Sequence, residues 1–399
     1  MLRTATAKQK KLATILAFIS IPLSGFVTDI YLPSFPAMAK EMLVPEKDIQ
    51  LTLTCYLLSY GISQLLIGSL LDNIGRYRPK LIALVLLVLS NILITQTNSI
   101  LFICLLRVLQ GISISILVVA TRAFFVDMYE GEKLKHYLSY FTVTWSLGPI
   151  LAPFLGGYLE KLFNWHSNFY FLAIYAALLF FSELLIGGET IAQKKKLNLA
   201  DTVDSYKNML VNRVFMLGIF ILGLSYSIVM LFNLTGPFII ENTFAFDSVT
   251  IGYCTLILGF SWMIGGLIAK QRMHLAFNKR IILPIITQLV LIVALLILSN
   301  FYSNLYVLIG FAFFIHICSG ILFTSFFTTS MLYFPKNAGA AGGLMGGLVY
   351  IITSLVSFVV SVSGLVVTQG DLAIRYFIFS FMLFLVIIFM MKFLKKTKG

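Results

Sequence analysis

The chain has 399 residues, of which 59% are hydrophobic and 11% charged, with a net charge of +13 and a mean hydropathy of +0.96. A soluble domain carries about 25% charged residues, and no water-soluble fold hides this much apolar surface, which excludes a soluble two- or three-domain protein. Nor does the positive charge mark a nucleic-acid surface, because the Lys and Arg residues lie in short connections between apolar runs of roughly bilayer length.

Taken in order, the apolar segments fall at 12–36, 49–71, 80–98, 100–126, 136–159 and 168–187, then at 213–240, 247–269, 281–299, 303–333, 339–368 and 373–393. The first follows MLRTATAKQKK and is read as a retained span, since no small-residue cleavage pattern succeeds a short apolar stretch. Between the sixth and seventh lies the one extended polar stretch, 188–212, with Lys194, Lys195, Lys196, Asp201 and Asp204. It divides the chain into an N-terminal six-helix unit at 1–187, a linker at 188–212 and a C-terminal six-helix unit at 213–399. A weak internal repeat agrees: the second and eighth spans both run through Gly into a basic loop, at Gly68 to Lys80 and Gly266 to Arg280, with Lys270 where the first copy has Asp72. With the N-terminus inside, alternation leaves only Lys40, Lys47, Lys161 and Arg375 on the outer side, a strong positive-inside asymmetry. Both termini are therefore expected in the cytoplasm.

Several chemistries find no support. There is no G-x-x-x-x-G-K-[ST] for ATP, no H-E-x-x-H, no C-x-x-C and no G-x-S-x-G. Cys55, Cys104, Cys254 and Cys318 all sit in apolar segments and read as small core residues. No cofactor and no metal is expected. A channel and a membrane enzyme are the alternatives from other classes: a channel would show flux without saturation, an enzyme an altered product.

Four groups of residues could carry function. In the loop from Gly68 through Asp72, Gly75 and Arg76 to Pro79 and Lys80, Gly75 permits a reversal between spans and Asp72 with Arg76 can make interhelical charge contacts. In the fifth span Gly148, Ala152 and Gly156 recur every four residues and form one smooth ridge, while Pro149 and Pro153 each remove a backbone donor and bend the helix. Asp29 and Arg107, intramembrane ionisable groups and therefore costly, are expected at similar depth facing the interior. Burial and the charge of Arg107 pull the protonation of Asp29 in opposite directions, so Asp29 is read as a proton-exchanging carboxylate; the competing reading is a fixed salt bridge between the first and fourth spans. Tyr31, Tyr56, Tyr60, Gln110, Asn233 and His316 are weaker cavity candidates. Glu183 is expected to snorkel from the end of the sixth span, and His316 to be a packed or hydrogen-bonded side chain.

These motifs resemble the major facilitator superfamily. The loop at Gly68 is similar to its G-x-L-x-D-x-x-G-R-[RK] signature, departing at Tyr77, and Gly148-Pro149 through Pro153 to Gly156-Gly157 resembles its antiporter motif in the form seen in the bicyclomycin-resistance (Bcr/CflA) branch. Thr28 to Pro36, Arg107 to Gly111, Arg122-Ala123 with Asp127, Trp165 to Phe169 and Glu189-Thr190 resemble further marks of that branch. The resemblance implies an all-α integral membrane protein with the major facilitator fold, twelve transmembrane helices in two pseudo-symmetric six-helix bundles. It implies a monomeric, proton-coupled exporter of small amphipathic compounds in the bacterial inner membrane, whose partners are a small-molecule substrate, protons and the lipid bilayer, with no nucleic acid. A neighbouring expectation is an endogenous cargo such as a siderophore or an amino-acid derivative.

Overall fold

The computed structural model describes residues 2–191, 199–334 and 338–396. Lys194, Lys195 and Lys196 of the polar stretch, and Lys336 and Lys398, lie outside the described residues. Among the described residues no strand occurs, and twelve helices are long and apolar enough to cross a bilayer. They are α1 (Ala7–Glu41), α2 (Glu46–Ile74), α3 (Tyr77–Ile94), α4 (Ile100–Met128), α5 (Gly131–Leu162), α6 (His166–Ile186), α7 (Arg213–Thr243), α8 (Ser248–Gln271), α9 (Phe277–Leu298), α10 (Leu305–Met331), α11 (Ala340–Val362) and α12 (Gln369–Phe393).

Side-chain caps start many of these spans. Ser99 accepts from Phe102 N, Asn212 from Phe215 N, Asp247 from Thr250 N and Asn304 from Val307 N, each satisfying a donor that the first turn leaves free. The span α1 is not one helix. It consists of Ala7–Ser20, Leu23–Asp29, a 3-10 turn at Leu32–Ser34 and Phe35–Glu41. Pro22, Pro33 and Pro36, which cannot donate to the preceding turn, stand at its interruptions. By contrast α5 continues as helix through Pro149 and Pro153.

The packing falls into two matching sets. In the first six spans α1 packs on α5, α2 on α4, and α3 on both α4 and α6. In the last six, α7 packs on α11, α8 on α10, and α9 on both α10 and α12. Adding six to each label of the first set yields the second, which is the pseudo-symmetry of two six-helix bundles. The bundles meet along α2 with α11 and α5 with α8, a pair of seams that the same operation exchanges. Glycine makes both close. A Cβ on Gly61 would fall 2.7 Å from the Gly347 carbonyl oxygen, and one on Gly157 would fall 2.3 Å from that of Ser248.

The polar stretch between the bundles is partly helical. An amphipathic helix at Leu199–Val211 buries Met209 and donates from the Tyr206 hydroxyl to the Leu65 carbonyl of α2 at 3.0 Å. It packs on α7 and α11. Its apolar residues have helical spacing, which the high polar content of the segment masks when composition alone is read.

A candidate transport site between α1, α2 and α4

The helical piece Leu23–Asp29 ends inside the protein, so the carbonyls of its last turn need donors from elsewhere. One comes from α4. Arg107 is fully buried, and its Nη1 donates to the Val27 carbonyl at 3.0 Å and to Gln110 Oε1 at 2.7 Å. Gln110 in turn donates to Asn91 of α3 at 3.2 Å. The guanidinium lies between two rings, 4.5 Å from the centroid of Tyr31 and 4.4 Å from that of Tyr56, where the π faces partly replace the hydration the cation has lost. The approach of α4 to α2 at this level depends on Gly111, because a Cβ there would come 2.6 Å from the Tyr56 carbonyl oxygen.

Asp29 is 1% exposed, and neither carboxylate oxygen has a hydrogen-bond partner among the described residues. Arg107 is the charged group that acts on it, yet no ion pair of 4.0 Å or less closes between them. Arg107 also keeps Nε and Nη2 without partners. A carboxyl group and a guanidinium cation are thus held in the same buried region with unsatisfied edges. Buried polar groups are normally paired, and among the unpaired ones in this region, which include Ser113 and Ser115, Asp29 is the one that can exchange a proton and Arg107 the one that can bind an anionic group.

Aromatic rings continue from this point toward the other bundle. Tyr56 stacks with Tyr60 at 5.9 Å, Tyr60 lies 4.5 Å from Tyr350 of α11, and Tyr350 lies 5.8 Å from Tyr226 of α7, which reaches Trp262 of α8 at 6.1 Å. Sequence reading named Tyr56 and Tyr60 but missed Tyr226, Trp262 and Tyr350. Nothing local distinguishes those three from packing aromatics. Asn233 and His316 are not joined to Arg107 by any hydrogen bond or ring contact among the described residues: the Asn233 amide reaches Met230 Sδ at 3.9 Å, and His316 Nε2 lies 3.2 Å from the Tyr376 hydroxyl.

Around this centre the motif residues do three separate things. Gly148 and Gly156 carry α5 against α1: a Cβ on Gly148 would meet the Pro22 carbonyl oxygen at 2.6 Å and one on Gly156 the Ile30 carbonyl oxygen at 1.7 Å, while Gly25 lies against Pro149. Gly157, one residue on, faces α8 instead. At the opposite end of the bundle Gly75 has φ +100°, a conformation that L side chains rarely adopt, and this turns α2 into α3. Arg76 there bonds Asp72 at 3.0 Å, the Ala123 carbonyl at 3.1 Å and Asp127 of α4. Its backbone N–H and that of Tyr77 donate to Glu189 Oε2 at 2.9 and 3.2 Å. The interhelical contact of this loop is therefore made by Arg76 to Asp127, with Asp72 holding the arginine from its own helix. Gly68, the first residue of the motif, has open space around it.

Glu183 departs from expectation. It is buried and ion-paired with Lys80 of α3, and its carbonyl accepts from the Tyr77 hydroxyl at 3.1 Å. A carboxylate with an internal cationic partner has no need to reach the interface. Elsewhere, a surface cavity of about 630 Å³ beside the α4–α5 turn is lined by Tyr129, Glu132, Lys133, Lys135, His136 and Tyr137, none of them part of the buried cluster.

Twelve spans in two matching six-helix bundles, with a broken first helix facing a buried arginine inside the first bundle, give the architecture of a membrane transporter. The chain belongs to the Major Facilitator Superfamily, whose family model matches residues 17–358. It is similar to the uncharacterized MFS-type transporter YdgK of Bacillus subtilis, 28% identical over 91% of this chain and 92% of that one. A bicyclomycin resistance protein homolog of Haemophilus influenzae is 34% identical over 40% of this chain and 41% of its own length. Among solved structures a mutant of the nucleoside transporter NupG shares the fold, with a TM-score of 0.71 and 16% identity across 96% of this chain and 99% of that one.

Proposed function

We propose that the protein exports small amphipathic compounds from the bacterial cytoplasm in exchange for protons, as a monomer in the inner membrane with both termini inside. The units 1–187 and 213–399, joined by 188–212, rock about the buried cluster so that it faces one side at a time. The observation that carries this reading is the Asp29 carboxylate, buried and without a hydrogen-bond donor. An ionised carboxylate is costly in such a place. In a conformation that admits water the same group is hydrated and gives its proton up. A site that is dry in one state and wet in the other converts a proton gradient into a bias between the two.

Other features support the same reading. At the end of the bundle nearer Asp29, several contacts join the two units: Lys161 to Asp247 at 2.6 Å, Asn242 to Glu46 at 2.9 Å and Gln50 to the Leu234 carbonyl at 3.2 Å. These would close the outer mouth. Arg76, Asp72, Gly75 and Asp127 would brace the inner gate, with Gly148, Pro149, Pro153, Gly156 and Gly157 setting how closely α5 approaches α1 and α8. Tyr31, Tyr56 and Gln110 surround Arg107 and, with Tyr60 stacked on Tyr56, would meet flat, amphipathic cargo; Asn233 and His316 would line the C-terminal wall. Similarity to a bicyclomycin resistance homolog favours drug-like cargo.

The test is flux of bicyclomycin or chloramphenicol in proteoliposomes with an imposed pH gradient, for wild type and Asp29→Asn. Gradient-driven flux should fall at least about 100-fold in the variant, the lower end of the range for losing one proton-transfer group, while gradient-independent exchange persists. Equal gradient-driven flux in both proteins rules out Asp29 as the coupling group.

A further inference from the structure

The two loops related by the internal repeat have opposite electrostatic solutions. In the α2–α3 loop two of the three cations at the turn find a carboxylate: Arg76 has Asp72 and Asp127 and Lys80 has Glu183, while Arg78 is exposed without an ion pair among the described residues; Glu189 accepts the two N–H groups that lead into α3. The α8–α9 loop carries Lys270, Arg272, Lys279 and Arg280, and none of the four makes an ion pair among the described residues. Composition explains why. No Asp or Glu occurs between Asp247 and Asp371, nor after Asp371. By the topology above, Glu241, Asp247 and Asp371, the acids of the C-terminal unit, all belong to the opposite membrane face. The face of that unit bearing the α8–α9 loop is therefore wholly cationic, with no internal anion to neutralise it.

The geometry of the loop narrows what could. Arg280 lies 5.5 Å over the Phe277 ring and bonds Met273 Sδ at 3.0 Å, which holds the guanidinium close to the helix while its Nε is buried without a partner. Ala276 precedes α9 and supplies no side-chain cap, whereas at the matching position α3 takes the Glu189 carboxylate. Met273 and Leu275 are 39% and 37% exposed beside the cations. Cations, uncapped N–H groups and apolar side chains side by side suit an anion that arrives attached to acyl chains.

We infer that the α8–α9 loop is a binding site for anionic phospholipid, with the lipid phosphate held by Lys270, Arg272, Lys279 and Arg280 and the acyl chains against Met273 and Leu275. Such juxtamembrane clusters attract acidic lipid headgroups, and a helix N-terminus adds to the attraction for phosphate. The site rests on the orientation proposed above, but its occupancy is read without any transport assay.

Native mass spectrometry of the purified full chain tests it, with added phosphatidylglycerol, cardiolipin, phosphatidylcholine or inorganic phosphate. Wild type should retain phosphatidylglycerol and cardiolipin in preference to phosphatidylcholine. The variant Lys270→Gln/Arg272→Gln/Lys279→Gln/Arg280→Gln should bind them at least tenfold more weakly, and Arg280→Gln alone roughly fivefold, the weight of one cation near a charged membrane surface. Lys8→Gln/Lys10→Gln/Lys11→Gln, which removes the same sort of charge elsewhere on that face, should leave retention unchanged. If the fourfold variant is not monodisperse, the single variant carries the comparison. Unchanged lipid retention in the loop variants, an equal loss in the Lys8/Lys10/Lys11 control, or displacement of bound lipid by millimolar inorganic phosphate each overturns the assignment, the last by making it a free-phosphate site.

Discussion

Gly156→Ala is the sharpest probe of how α5 positions the candidate site. The added methyl would lie 1.7 Å from the Ile30 carbonyl oxygen and 2.8 Å from its carbon. Since Cβ contacts below 3.0 Å essentially never occur, α1 and α5 must separate by about 1.3 Å at this level, and the atoms opposite are backbone, so no side-chain rotation relieves the clash. Overpacking of this kind costs about 1–3 kcal/mol. Ile30 follows Asp29 directly, so the displacement also reaches the carboxylate, and a shift of about 1 Å at a functional group can cost on the order of 100-fold in rate. The control is Gly310→Ala on α10, where a Cβ meets nothing within 4 Å and the helix gains about 0.5–1 kcal/mol from the loss of glycine. Thermal unfolding followed by size-exclusion chromatography should show Gly156→Ala several degrees below wild type and Gly310→Ala at or above it. Gradient-driven flux of Gly156→Ala should drop at least tenfold. A Gly156→Ala protein with wild-type melting and wild-type flux refutes the close approach of α5 to α1.

Arg107→Lys keeps a positive charge but cannot both bond Val27 and Gln110 and lie flat between Tyr31 and Tyr56; flux should fall by roughly tenfold or more, and restoration to wild-type levels by lysine would show that charge alone suffices. For the buried pair, Lys80→Met or Glu183→Leu should each destabilise by about 3–5 kcal/mol, because an uncompensated charge remains inside, while the double variant Lys80→Met/Glu183→Leu recovers most of the loss. Denaturation of the three proteins and wild type, taken as a double-mutant cycle, measures that coupling; additive losses would contradict the pair. Asp247 lies between the spans α7 and α8, and its bonds to Lys161 and Thr250 hold it at about 2, below the ordinary carboxylate range. A depressed acid contributes stability above its unfolded value that is lost as pH falls from about 4 through about 2. Both partners are half exposed, so the effect is small: melting temperatures of wild type and Asp247→Asn should differ slightly at pH 5 and converge by pH 2, and a difference that grows on acidification would reverse the sign.

Hydropathy was enough for the twelve spans, because each must supply an apolar run of bilayer thickness whatever its neighbours do. The interruptions of α1 were written in Pro22, Pro33 and Pro36, but the length of the apolar run concealed them. The polar stretch concealed a helix for the opposite reason: charge dominates its composition while Met209 and Tyr206 sit on one face. Pairings were the least legible. Glu183 and Lys80 are far apart in the chain, and a carboxylate near a helix end gives no local sign of whether it will find a cation or water. The same holds for Arg76 with Asp127 and for Tyr60 with Tyr350, which depend on how α2, α4 and α11 come together. Asp29 and Arg107 drew notice for a different reason, since an ionisable residue in an apolar run is conspicuous before any partner is known.

The seam where α2 meets α11 has a mechanical consequence. Gly61 faces the Gly347 backbone, and Gly343 and Gly346 continue the same strip beside Gln64. Where helices normally interlock through ridges and grooves, any sliding obliges buried side chains to hop between rotamers. At Gly61 and Gly347 backbone meets backbone, with no side chain of either glycine between them. The strip lets α2 and α11 touch backbone to backbone, with Leu65 and Ile351 filling the space on either side, so a side chain larger than glycine at Gly61 or Gly347 would force the two helices apart and open the seam between the bundles.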